Sequence, residues 1–424
     1  MVKTKRFKLQ LTPDYIKNTS LAEYATPYPL KQADESRQIP ETACRYRNAF
    51  ERDRDRIIHS KSFRKLQGKT QVFVAGINPT IRNRLTHTLE VWQIATSLAR
   101  TFRVNTDLVE AIALGHDIGH TPFGHSGEGE LGKILEEKTN RGFNHNEQSV
   151  VVACFLEESP KSIKSTPIIP VGLNLTEHTI EGIYRHTPSR VKDGCQDERI
   201  CDRFTETSFG SIEAQIVHIA DDIAQNTHDL ADLWTTKILG YQHLLDLIMT
   251  YPMYFGYETD DAEDLDRMYD KFMKDGFTRE FSSYLVGTLV NDVRETSIDE
   301  LNKKYNGSPE SHQFIKYAKD TEKFVEEIKN LTKLKGINSD EVSQTNSRGR
   351  HIIRSLYELF RDDAHCLPLV HKNGLSKAIQ KKINDTKKYP RTNITQNEDI
   401  RIICDYIASL TDQEAIERFR TILT

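Results

Sequence analysis

The chain has 424 residues, with 58 lysines and arginines against 62 aspartates and glutamates and a formal net charge of −4, which is room for about two to three domains and a sizeable core. Hydrophobic residues make up 37%, charged residues 28%, and 18 phenylalanines and 16 tyrosines argue against disorder, so a soluble globular protein is expected. No run approaches the roughly 18 apolar residues of a membrane span, the basic start Met1 to Gln10 leads into no apolar signal core, and the six cysteines form no C-x2-C pair, which disfavours membrane insertion, secretion and zinc fingers and predicts reduced cytoplasmic thiols.

Proline is sparse and glycine modest, so apolar periodicity decides the fold class. Residues 28–42 read as a loop. The stretch from Arg45 to Lys69 holds nine lysines and arginines, partly balanced by Glu51, Asp53 and Asp55. It reads either as an ion-pair-laced helix surface or as a local landing for an anion that the net charge does not attract. A helix over Leu85 to Leu98 places His87 on an apolar stripe with Val91, Ile94 and Leu98. In the next helix, opened by Asp107 with Glu110 in capping-box spacing, Leu108, Ile112 and His116 recur every four residues. His116 and Asp117 therefore reach its buried C-terminal end before Gly119 and Pro122 stop it.

Residues 159–174 and 187–210 read as loops, followed by a helix over Ser211 to Leu233. There Ala214, Val217 and Asp221 share a face, and the stripe continues as Gln225, His228 and Asp229 where a purely structural helix would stay apolar. Beyond residue 260 come charged amphipathic helices such as Lys319 to Leu331, with loops at 304–311 and an insertion-like polar stretch at 336–349. The expectation is an all-α chain: an N-terminal extension (1–43), a catalytic core (44–235) and a helical C-terminal region (236–424).

Nine of the 15 histidines fall between positions 87 and 228, where an even spread would put about five. A single histidine on an apolar face is usually a hydrogen-bonded core residue. Buried carboxylates, by contrast, cost several kcal/mol unless paired or metal-bound. His87, His116, Asp117 and Asp221, delivered by three predicted helices, make a mixed nitrogen and oxygen set suited to a divalent ion.

That order, H then HD then D, is the pattern of the HD phosphohydrolase superfamily. The stretches FERDRDRI (Phe50 to Ile57), FRKLQGKTQVF (Phe63 to Phe73), GHDIGHTPFGHSGE (Gly115 to Glu128), NHNEQS (Asn144 to Ser149) and DYIASLTD (Asp405 to Asp412) resemble the deoxyguanosinetriphosphate triphosphohydrolase family. The matches run in order from about residue 44 to 413. The resemblance implies an HD-domain helical core and cleavage of a deoxynucleoside triphosphate to deoxynucleoside and inorganic triphosphate. It assigns a divalent ion, manganese or magnesium, to His87, His116, Asp117 and Asp221. The leaving 5′ alkoxide needs a proton, so the chemistry requires a general acid beside the metal-activated water.

By the same resemblance His125 is that acid and Glu128 its carboxylate partner, with His145 facing the phosphates as the next candidate donor and His120 along the phosphate chain. Arg84, one turn before His87, is placed to reach the same phosphate, and cations of the 45–69 stretch would line the triphosphate path. Gln67 and Asp229 match residues that read the sugar. Gln225 departs from the family, which usually has tyrosine there, and this weakens the expected exclusion of ribonucleotides. A homo-oligomer, with a hexamer in view, and a regulatory nucleotide or single-stranded DNA complete the implied partners, with no membrane. The rival readings are an HD phosphodiesterase or nucleotidase acting on another phosphate ester, and a non-catalytic nucleotide- or nucleic-acid-binding regulator.

Overall fold

A computed structural model describes residues 21–27, 36–71, 82–160, 163, 171–186, 194–204, 209–239, 241–255, 270, 279–305, 312–337, 340–385, 388 and 391–423. All regular elements among them are helical, apart from one antiparallel bridge between Thr70 and Asn83, so the fold is all-α.

Side-chain caps set where the first helices start. Helix α1 (Ala49–His59) opens on a capping box in which Asn48 accepts from the Glu51 amide and Glu51 accepts from the Asn48 amide. Helix α2 (Lys61–Lys65) starts at Ser60 and runs into the tight turn Leu66–Gly68. Helix α3 (Arg84–Phe102) is capped by Asn83, whose carbonyl oxygen accepts from the Thr86 amide, and stops at Arg103 in the left-handed region. Helix α4 (Thr106–Gly115) is capped two residues before the predicted opener: the Asn105 side chain accepts from the Leu108 amide. Asp107 then sits in the first turn, and Glu110 is drawn away into an ion pair with Arg54 at 2.7 Å.

Helix α5 (Gly124–Thr139), α6 (His145–Val151, continued by a wide turn Val152–Leu156), α7 (Glu177–Arg185), α8 (Glu198–Cys201) and α9 (Ile212–Thr235) complete the first half. The second half comprises α10 (Tyr241–Thr250), α11 (Arg279–Lys304), α12 (Lys319–Leu331), α13 (Asp340–Asp362), α14 (Leu369–Gly374), α15 (Lys377–Asn384), α16 (Asn397–Ala408) and α17 (Asp412–Leu423).

Helices α3, α4 and α9 pack against one another, and Val91, Leu98, Ile112, Val217 and Ile223 are fully buried between them. Burial of each such side chain contributes roughly 1.5–3 kcal/mol. A second cluster joins α5 to α13, α16 and α17 through Leu131, Ile134, Leu356, Phe360, Ile403 and Ala415, and a third includes Ile57 of α1, Val150 of α6 and Ile183 of α7. The first two clusters draw residues from both sides of residue 235.

Three local expectations are corrected. The polar stretch 336–349 is largely helical, because α13 begins at Asp340 and needs only one buried stripe, supplied later by Ile352, Ile353, Leu356 and Phe360. Part of 187–210 forms α8, opened by Asp197, which accepts from the Arg199 amide. Cys195 and Cys201 are joined in a disulfide, their Cα atoms 5.4 Å apart, so these two are not the reduced thiols predicted. The turn of α8 brings together cysteines that sequence spacing leaves apart.

The turn after α4 lies hard against α6: a Cβ on Gly119 would stand 2.1 Å from the Ser149 amide nitrogen and 2.6 Å from the His145 carbonyl oxygen. Both contacts are backbone and cannot yield cheaply. Gly119→Ala is therefore expected to cost about 1–3 kcal/mol or more by overpacking, read as a fall of several degrees in Tm; an unchanged Tm would show that the two segments separate freely.

Candidate metal centre and active site

Helix α3 carries His87 and Arg84, the C-terminal end of α4 carries His116 and Asp117, and the middle of α9 carries Asp221. His87 Nε2 lies 2.9 Å from Asp221 Oδ1, and His116 Nε2 lies 3.6 Å from Asp117 Oδ1 and 3.8 Å from Asp221 Oδ1. His116 Nδ1 is 2.7 Å from the Ala113 carbonyl, so its proton sits there and the Nε2 lone pair faces the carboxylates. That Nε2 is buried and has no hydrogen-bond partner among the described residues. A buried lone pair of this kind among two imidazoles and two carboxylates is what a divalent cation satisfies. His87, His116 and Asp117 offer donor atoms within 4.8 Å of one another, and Asp221 closes the set from α9.

Charge follows the same plan. Burial pushes the Asp117 carboxyl upward, but His120, His116 and Arg84 outweigh it and hold it well below the usual carboxylate range. Burial likewise opposes ionisation of Asp221, and the hydrogen bond from His87 together with His116 keeps it low. His87 would be lowered by burial and is instead raised by Asp221. Arg84 Nη1 donates to Asp117 Oδ2 at 2.8 Å, which leaves Oδ1 facing the histidines.

A second group lies beside the first. Glu128 on α5 accepts from two imidazoles: its Oε2 is 3.1 Å from His125 Nδ1 and its Oε1 is 2.8 Å from His145 Nδ1. The His145 ring stacks on His120 at 3.8 Å, and His120 Nε2 stands 3.3 Å from Asp117 Oδ1. The His125 side chain is 55% exposed, whereas His120 and His145 are buried. Asp117, His120 and His145, and likewise His125, Glu128 and His145, are also close enough to share a cation. The histidine excess is thus spatial: ring contacts link His87 to His116 and His228, His116 to His186, and His120, His125 and His145 to one another.

The chain matches the HD domain family over residues 84–226 and the phosphohydrolase-associated domain over residues 315–421. It is 33% identical over 408 residues to the deoxyguanosinetriphosphate triphosphohydrolase-like protein of Rickettsia bellii (strain RML369-C), covering 94% of this chain and 97% of that protein. Proteins with the same description from Rickettsia prowazekii (strain Madrid E) and Rickettsia canadensis (strain McKiel) are each 32% identical over 94% of this chain and 97% and 99% of theirs. The chain belongs to the deoxyguanosinetriphosphate triphosphohydrolase-like family of HD phosphohydrolases.

In this HD phosphohydrolase the remaining predicted residues divide. Asp229 is buried two turns beyond Asp221, and burial, with Asp232 adding to it, pushes its carboxyl up to about 7. Gln225 is half-buried on the intervening turn and Gln67 is exposed on the Leu66–Gly68 turn, and among the described residues no hydrogen bond joins Gln67 to Asp229. Most cations of the 45–69 stretch serve the fold instead of an open path: Arg47 pairs with Asp55, Arg52 and Arg56 with Glu41, Arg54 with Glu110, Lys61 with Glu158 and Lys65 with Glu414. Sequence reasoning passed over His186, whose ring lies 5.2 Å from His116 and whose titration burial and His116 push down to about 3. It gave Lys69 only the role shared by the 45–69 cations and gave Asp412 none, although both stand in the quoted stretches.

The divalent set is tested by Asp117→Ala and His116→Ala. Each is expected to lose bound metal while keeping the helical fold, read by elemental analysis and circular dichroism; full metal content would reject the assignment. Asp229 supplies a second prediction, for the metal-free chain. Its raised carboxyl, opposed by His87, Arg82 and Arg84, favours the folded state fully below its ordinary value of 3.8 and loses that contribution as pH rises to about 7. Asp229→Asn should therefore gain Tm relative to the unsubstituted chain across that window, and a pH-independent difference would show that Asp229 titrates normally.

Proposed function

We propose that the chain hydrolyses deoxynucleoside triphosphates, dGTP among them, to deoxynucleoside and inorganic triphosphate. The observation that carries the reading is the pairing of a four-donor pocket with a carboxylate-backed, exposed histidine: His87, His116, Asp117 and Asp221 beside His125 and Glu128. The relatives' shared name supports the substrate. A divalent ion in that pocket, manganese or magnesium, supplies charge that polarises a phosphoryl oxygen and acidifies water.

The chain's own residues do the rest. Arg84 fixes Asp117 and turns its remaining N–H groups toward the phosphates. Glu128 holds the Nδ1 side of both His125 and His145, so the proton that His125 gives to the 5′ oxygen leaves from Nε2. His120 and His145 line the phosphate side, while Gln67, Gln225 and Asp229 face the sugar. Residues 44–235 form the catalytic part and 236–424 complete the pocket and the contacts of a cytoplasmic homo-oligomer, a hexamer in the fullest form, with a regulatory nucleotide or single-stranded DNA as a further partner.

Incubation with manganese and a mixture of the four dNTPs, followed by chromatography, tests the reaction: deoxynucleoside and triphosphate are expected, and monophosphate or orthophosphate would place the cut elsewhere. In the same assay His125→Ala should lose about 10²–10⁴ in kcat while KM and bound metal stay put. A rise in KM at constant kcat would make His125 a binding residue.

A further inference from the structure

Two stretches marked out in the sequence, described over residues 63–71 and 405–412, meet each other next to His120. Lys69 is fully buried, and its Nζ donates to the carbonyl oxygens of His120 and, at 2.9 Å, Ala408. Asp412 accepts on both oxygens: Oδ1 from the Phe123 amide at 2.9 Å, Oδ2 from the Thr70 amide at 3.1 Å and from the Thr70 hydroxyl. Asp405 accepts from Gln148 Nε2 at 3.0 Å, one turn beyond His145 on α6. The corner between α16 and α17 therefore grips the backbone at His120, the entry to the helix that carries His125, and the helix that carries His145.

The entry to α5 needs that grip. Phe123 and Gly124 both stand in the left-handed region, at φ 61° and 55°, and Phe123 offers the helix no side-chain cap. A bulky residue held there costs on the order of 1–3 kcal/mol and persists only when its surroundings fix it. From 289 positions away Asp412 accepts the amide of that cap residue, as the acidic partner of a capping box does, and so puts a carboxylate at a helix N-terminus where negative charge is favoured. His125 is the second residue of that helix.

We infer that Asp412 and Lys69 are positioning residues for the histidine edge of the active site, Asp412 setting the reach of His125 by fixing the start of α5, and Lys69 holding the turn at His120. The inference rests on the reading of His125 as proton donor. A displacement of about 1 Å at such a group lowers turnover by as much as roughly 10²-fold without touching substrate or metal.

A double-mutant cycle on the full-length, metal-loaded enzyme tests this, with kcat, KM and bound metal measured for His125→Ala, Asp412→Ala and the double variant. Asp412→Ala should lower kcat by about tenfold or more with KM within about twofold and metal unchanged, and should add nothing in the His125→Ala background. Asp412→Asn, which keeps an acceptor for the Phe123 amide, should recover most of the rate. If Asp412→Ala does not fold, Asp412→Asn and Lys69→Met carry the same cycle with smaller losses of the same non-additive kind. Losses that multiply in the double variant, a rise in KM in place of a fall in kcat, or full turnover in Asp412→Ala would each overturn the inference. Full turnover in His125→Ala would overturn the donor assignment and the inference with it, whereas a loss confined to His125→Ala would overturn the inference alone.

Discussion

Two carboxylates, Asp117 and Asp221, converge inside a helical core, and the arrangement of α3, α4 and α9 depends on offsetting their charge. Left unpaired, each would cost several kcal/mol. Arg84 takes one oxygen of Asp117 and His87 takes one of Asp221, while His116 faces both with a nitrogen that has no partner among the described residues. Compensation by the protein alone is thus incomplete, and the helix packing is arranged around that remainder. A hydrophobic substitute for the cluster would satisfy packing and still leave no reason for an imidazole to point its lone pair into the interior.

The sequence was most legible where one helix face sufficed. The four-residue recurrence of Leu108, Ile112 and His116 set the buried end of α4, and the departure from an apolar stripe at Asp221 and Asp229 marked α9 as more than structural. It was less legible at helix starts, where Asn105 and Asp107 are equally good caps by residue type, and contacts distant in sequence occupy Asp107 (Asn48) and Glu110 (Arg54). The polar opening of α13 read as an insertion because, Val342 apart, its buried stripe begins only at Ile352, more than three turns in.

The histidine edge shows the other limit. Lys69 reaches a carbonyl 51 positions away and one 339 away, and Asp412 reaches partners 289 and 342 away. Periodicity reports on neighbours within a few turns, so such pairings leave no mark in it, and the stretches containing them stood out only through resemblance. The basic stretch 45–69 was legible in part: of its two readings the ion-pair-laced surface holds for most of its cations, but apart from Asp55 their carboxylate partners, Glu41, Glu110, Glu158 and Glu414, lie outside it.

The four candidate ligands are not equally shielded. The side chains of His87, His116 and Asp117 are 2%, 1% and 5% exposed, whereas Asp221 stands at 24%. Of the four, Asp221 is therefore the donor nearest to water among the described residues, so the α9 side is where solvent comes closest to the set.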